Sequence, residues 1–188
     1  TLSSDFPTTA GAFQPAFASS SPGDADAFVL RLAPDGATLV YASYLGGAKF
    51  DHGKDIVIDA PGNAYVIGTT TSTNFPTTEP EQAGNGGLAD AFMTIVNPTG
   101  SAKVASTYLG GSESDNGAGI AIDPDGNVYV VGATSSTNFP VSPGALQSTF
   151  GGGVIDGFWA KYDPSGQRVA STYLGGSGVD VARALVVD

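Results

Sequence analysis

The sequence predicts an all-β fold of tandem four-stranded antiparallel units, and three observations carry that prediction. Motifs recur every sixty-odd residues, short apolar runs alternate with turn residues, and the composition is rich in glycine and poor in charge. Charged residues make up 13% of the chain against 27 Gly, a mix that suits short strands and many turns rather than helices.

The recurrence rests on four markers in one fixed order. Tyr-Leu-Gly-Gly begins at Tyr44, Tyr108 and Tyr173, and an Asp-(Ala/Gly)-Phe triplet begins at Asp26, Asp90 and Asp156. Phe-Pro falls at Phe6, Phe75 and Phe139. Ile56–Asp59 returns as Ile120–Asp123 and Leu185–Asp188.

Within a unit the runs read as strands A to D. Strand A (Ile120–Asp123) and strand B (Val128–Gly132) flank Pro124-Asp125-Gly126-Asn127, where Asp and Gly supply the positive φ of a tight hairpin. Strand C (Gly157–Tyr162) and strand D (Val169–Leu174) flank Asp163-Pro164-Ser165-Gly166. The preceding unit has Pro61-Gly62-Asn63 and Asn97-Pro98-Thr99-Gly100 at the same places.

Strand B is apolar on both faces, as Tyr65-Val66-Ile67 and Tyr129-Val130-Val131 show. A sheet with one wet face would alternate, so each sheet is expected to lie between two others. Strand C does the same, with Phe28, Phe92 and Phe158 on one face and Val29, Met93 and Trp159 on the other. Four-stranded units that must stack on their neighbours point to β-propeller-like blades, incomplete and about three in number. An open linear or helical array of the same sheets is the alternative. The expected divisions are a partial repeat with strands C and D (1–47), a second repeat (48–111), a third (112–176) and a lone strand A (177–188).

Ser106–Ser112 and Ser171–Ser177, with Gly119–Gly132, Thr134–Pro140 and Asp156–Phe158, resemble the SBBP family of β-propeller repeats. The resemblance implies a repeat of large secreted or surface proteins of bacteria and some archaea, beside adhesive or structural modules. It implies no shared enzyme activity and carries no catalytic residues.

A formal net charge of −11 disfavours nucleic acid and anionic lipid surfaces as partners. Cysteine is absent, which excludes disulfides and thiolate metal sites. No apolar run reaches the ~20 residues that span a bilayer, and no signal-peptide pattern opens the chain, so a mature or internal segment is expected.

Candidate chemistry is thin. His52 is the only histidine, Asp51 beside it projects to the opposite side of a strand, and the repeat carries Asn116 and Val181 at its place. Nine of the fifteen Asp occupy three thrice-repeated positions: Asp26/Asp90/Asp156, Asp51/Asp115/Asp180 and Asp59/Asp123/Asp188. Residues repeated in every unit are expected to serve the unit, by accepting backbone N–H bonds at turns and strand ends. A glycosidase pair would need blade-specific carboxylates, and Glu79, Glu81 and Glu113 have no evident partner. Asp123-Pro-Asp125-Gly-Asn127 and Glu113-Ser-Asp115-Asn116 offer oxygen donors for Ca²⁺, without the full twelve-residue loop pattern. No catalytic, cofactor or metal residue is therefore assigned.

The Gly-Gly pairs after strand D read as sharp crossovers to the next strand A. The long B–C loops (69–89 and 133–155), anchored by Phe75 and Phe139, are expected to share one face with Asp51, Asp115 and Asp180 and to carry recognition. Thr69–Thr73 could accept O-glycans, and Asn97 is no N-glycosylation site because Pro98 follows it. The expected function is a non-enzymatic, extracellular or cell-surface structural or adhesive repeat, forming a filament or stalk. Its expected partners are neighbouring repeats or copies of itself, with no membrane insertion. Two alternatives remain: a propeller scaffold binding a glycan or surface protein on its long-loop face, and a carbohydrate-active enzyme domain.

Overall fold

The computed structural model describes all residues from Thr1 to Asp188 and contains ten strands and no helix. The first unit supplies β1 (Ala27–Leu32) and β2 (Leu39–Leu45). The second supplies β3 (Asp51–Ile58), β4 (Ala64–Thr70), β5 (Asp90–Val96) and β6 (Lys103–Leu109). The third supplies β7 (Asp115–Ile122), β8 (Val128–Thr134), β9 (Asp156–Tyr162) and β10 (Arg168–Leu174). They form one two-stranded and two four-stranded antiparallel meanders, with no closed barrel.

Turn chemistry fixes the hairpins. Gly62 and Gly126 take φ of 94° and 85° between strands A and B, a region closed to most L residues. Each hairpin is completed by an aspartate at its base. Asp59 accepts from the Asn63 backbone and side chain at 2.7 Å each, and Asp123 does the same with Asn127 at 2.8 Å.

Strand A is longer than the apolar signal suggests, starting five residues earlier at Asp51 and Asp115. A register shift at Gly53/Asp55 and Gly117/Gly119 interrupts the alternation, which hides the first half of the strand from a periodicity reading. That half stays in the ladder with strand B and is also pinned by backbone bonds across units, from Asp51 N–H to the Ala25 carbonyl (2.6 Å) and from Asp115 N–H to the Ala89 carbonyl (2.7 Å). The expected lone strand A at 177–188 does not form a strand. β3 and β7 each pair with a following strand B, and residues 185–188 have no such ladder partner.

The sheets stack face to face, as double-sided apolarity requires. Val29, Tyr41 and Leu45 of the first meet Val66, Phe75, Phe92 and Tyr108 of the second. On the other side, Tyr65, Ile67, Met93 and Ile95 of the second meet Ile120, Val130, Phe139, Phe158 and Tyr173 of the third. The two central strands of the middle sheet are thus covered on both faces, and every residue of β4 and β5 is buried. Asp55 adds a polar link, accepting the Ile120 N–H at 3.0 Å across units.

The long B–C loops fold back along strand D. Thr78 and Ser106 exchange two backbone bonds (2.9 and 2.8 Å), and Tyr108 N–H reaches the Gln82 carbonyl (3.2 Å). Thr9 and Gln14 serve β2 in the same way, and Ser142 and Gln147 serve β10. Each loop therefore covers the outer edge that strand D would otherwise present to water or to another chain.

Candidate functional site

The repeated polar residues converge at one place per unit, where strand D crosses to the next strand A. In the second unit Asp90 opens β5, Gly110-Gly111 follow β6, and Asp115 opens β7. Asp115 Oδ2 accepts the Gly111 N–H at 2.7 Å and the Ser136 hydroxyl at 2.8 Å. Asp90 Oδ2 accepts the Gln82 side-chain amide at 2.7 Å and the Gly86 N–H at 2.9 Å, and Gln82 Oε1 accepts the Gly110 N–H at 3.0 Å.

The first crossover repeats this with other residues. Asp51 takes the Gly47 N–H (2.7 Å), the Ser72 hydroxyl (2.9 Å) and the Thr70 hydroxyl. Asp26 is held by Gln14, by the backbone of Ala18 and Ser19, and by the Ser19 hydroxyl. Glycine is required between the two carboxylates: a Cβ on Gly110 would stand 2.7 Å from both Asp90 Oδ1 and Asp115 Oδ2.

Asp51 and Asp115 are fully buried, so the expectation that they share an accessible loop face is corrected. Their side chains turn inward because the crossover N–H groups and the Ser72 and Ser136 hydroxyls need acceptors there. Burial pushes Asp51 and Asp90 up to about 6 and also raises Asp115. Two carboxylates with raised pKa could in principle trade protons with a substrate. Here they are enclosed, recur in successive units and hold the crossover backbone, so the arrangement acts as a structural clamp.

The other candidates lie apart. His52 is exposed on the face of β3 opposite Asp51 and sets its ring edge-on to Phe50 at 5.8 Å. Burial and the neighbouring Lys54 push its pKa down. Asp123 is occupied by Asn127 and by the Tyr129 hydroxyl at 2.9 Å, while Asp115 faces the interior and Asn116 faces solvent on the next pleat. The two groups weighed for calcium do not converge, and no cluster of three acidic, His or Cys side chains gathers anywhere. Glu81 pairs with Arg168 at 2.6 Å, across units.

Sequence reasoning missed the glutamines. Gln14, Gln82 and Gln147 each bridge an aspartate and a crossover glycine, and Gln147 Oε1 accepts the Gly175 N–H at 2.9 Å. Their recurrence was available as a signal, but it sits in loops whose neighbours vary. Tyr44, Tyr108 and Tyr173 have a second role, since each hydroxyl receives the backbone N–H of the Phe-Pro phenylalanine and donates to a carbonyl three residues earlier.

Stacked antiparallel four-stranded units clamped at each crossover make the chain an all-β tandem-repeat protein, whose sheets have the arrangement of incomplete propeller-like blades or of an open array. More specifically, residues 40–76 and 106–140 match the SBBP family model, described as a beta-propeller repeat, and these two segments are SBBP repeats. Each match runs from strand D across the crossover, through strands A and B, to the Phe-Pro anchor. No curated protein matches the chain.

Proposed function

We propose that the chain is a non-enzymatic structural or adhesive module of the extracellular space or cell surface, whose SBBP units stack on sister units to make a rigid scaffold. The observation that carries this reading is the middle sheet, whose central strands are covered on both faces by sisters and whose repeated carboxylates are spent on its own crossovers. The loops that could have served as recognition arms run instead along strand D and close its edge. This favours scaffold over a glycan- or protein-binding loop face and over a carbohydrate-active enzyme.

Electron microscopy of the purified chain tests the proposal. Stacks, rings or fibres of copies are expected. A dispersion of single molecules, or hydrolysis of a glycan by the purified chain, would overturn it.

A further inference from the structure

The long B–C loops carry the same stations in each unit, and the second unit fills one of them differently. Three residues after the loop glutamine stand Phe17, Asn85 and Phe150. The next residue gives its backbone N–H to the repeated aspartate: Ala18 to Asp26, Gly86 to Asp90 and Gly151 to Asp156. Phe17 and Phe150 set their rings against Tyr44 and Tyr173 at 5.6 and 5.9 Å. Asn85 has no ring to offer, and its side-chain Nδ2 is buried without a hydrogen-bond partner. The sister units show that the fold needs no amide at this station.

The groups around Asn85 are those that an intramolecular attack on its side chain requires. The Gly86 nitrogen is the nucleophile, with no Cβ beside it to hinder approach to Asn85 Cγ. Its N–H already donates to Asp90 Oδ2 at 2.9 Å, which places a general base within reach. Burial pushes Asp90 up to about 6, so at neutral pH it is ionised and a stronger base than an ordinary carboxylate. The Gly87 N–H donates to Asn85 Oδ1 at 2.9 Å, where negative charge gathers when Cγ is attacked. Nδ2, the leaving group, forfeits no hydrogen bond on departure. Gly86 and Gly87 are exposed, so water has access to what is formed.

We infer that Asn85-Gly86 is a self-modification site, where the folded chain deamidates its own asparagine. Asp90 takes the Gly86 N–H proton as the nitrogen bonds to Cγ. The Cγ–Nδ2 bond then breaks, and Nδ2 leaves with that proton as ammonia. Water opens the resulting five-membered imide at either carbonyl, leaving aspartate or isoaspartate at position 85. The imide has no N–H for Asp90, and the isoaspartyl link adds one atom to the main chain, so the reaction loosens the clamp at the second crossover. Asn116-Gly117 is an internal control. It lies within β7, where Asn116 faces Ala133 and Gly117 faces Gly132, and the ladder holds the backbone extended.

The test incubates the full chain at neutral pH and follows both sites by peptide mapping, reading a gain of about 1 Da and the isoaspartyl fraction. Asn85 in the folded chain is expected to convert at least about tenfold faster than in a free peptide with the sequence Gln82–Ala89, while Asn116 stays intact. Asp90→Asn keeps the shape and removes the base, and should bring the rate down to that of the peptide or below. Conversion of folded Asn85 no faster than the peptide's, or conversion of Asn116 at an equal rate, would overturn the site. So would an undiminished rate in a folded Asp90→Asn chain. The comparison with the peptide needs no variant and decides the matter even where Asp90→Asn fails to fold.

Discussion

The first sheet and the middle sheet start from nearly the same residues and end in different environments. Asp26-Ala27-Phe28 and Asp90-Ala91-Phe92 are identical triplets, each phenylalanine pairs with a tyrosine across the ladder, and each stacks on a Phe-Pro ring. Yet Phe28 is 45% exposed and Phe92 is 0% exposed. The difference comes from what lies beside them: strand B and a sister sheet surround Phe92, and neither covers Phe28. Burial in this fold is conferred by neighbours, so the same sequence is core in one unit and surface in another.

The largest test of that contrast is truncation of the two rings. Phe92→Ala should cost about 3–5 kcal/mol in denaturant unfolding, through lost burial and the cavity left against Phe75 and Gly68. Phe28→Ala should cost about 1 kcal/mol or less, because much of its surface is already wet. Equal losses would break the comparison.

The buried carboxylates give the next largest effect. The folded pKa of Asp51 and Asp90 is about 6, raised chiefly by burial from an ordinary value of 3.8. The folded state therefore holds more protons than the unfolded state between those values. Their contribution is fully present below about pH 4 and is lost as pH rises through about 6, a change on the order of 2–3 kcal/mol for each. Asp59 and Asp163 run the other way. Burial raises Asp59, but bonds from Asn63 and Tyr65 outweigh it and leave it low, while Asp163 is lowered first by the Ser165 hydroxyl. Stability should thus rise from pH 7 to about pH 5 and fall in stronger acid. Asp90→Asn should flatten the limb above pH 5, because Asp90 Oδ1 receives no donor that the amide would forfeit. An unchanged limb in that variant would assign the pH dependence to other groups.

Much of the fold was legible because each structural demand recurs. The Asp-Gly and Pro-Gly turns, the apolar B strands and the Phe-Pro anchors appear at fixed offsets, and the structure places each where the spacing puts it. The first half of strand A was not legible, since the shift at Gly53 and Gly117 breaks the period of two. The crossover clamp was half legible. Its aspartates stood out by repetition, but their inward direction depends on Ser72, Ser136 and the glutamines, which approach only in three dimensions. The pairing of Thr78 and Gln82 with strand D was not legible, because loop length alone does not specify a backbone partner.

A third contrast concerns two glycines that face each other in one ladder, Gly53 in β3 and Gly68 in β4. A Cβ on Gly68 would meet the His52 carbonyl and the Phe92 ring, and the backbone atom cannot swing aside. A Cβ on Gly53 would find its nearest neighbour at 3.7 Å, an ordinary contact. Gly68→Ala should cost about 1–3 kcal/mol or more, and Gly53→Ala should stay within about 0.5 kcal/mol of the parent. Comparable losses at both would mean that the His52 carbonyl and the ring beside strand B do not explain the glycine.

The smallest effect separates the tyrosine anchors. Tyr108 Oη accepts the Phe75 N–H at 2.8 Å and donates to the Ser72 carbonyl at 2.7 Å, with all partners buried. Tyr44 makes the same pair with Phe6 and Ser3, where water reaches the partners. Removing the hydroxyl from Tyr108 strands two buried backbone groups, while removing it from Tyr44 leaves groups that water can satisfy. Tyr108→Phe should therefore lose about 1–2 kcal/mol and Tyr44→Phe about half that or less, read from paired urea melts.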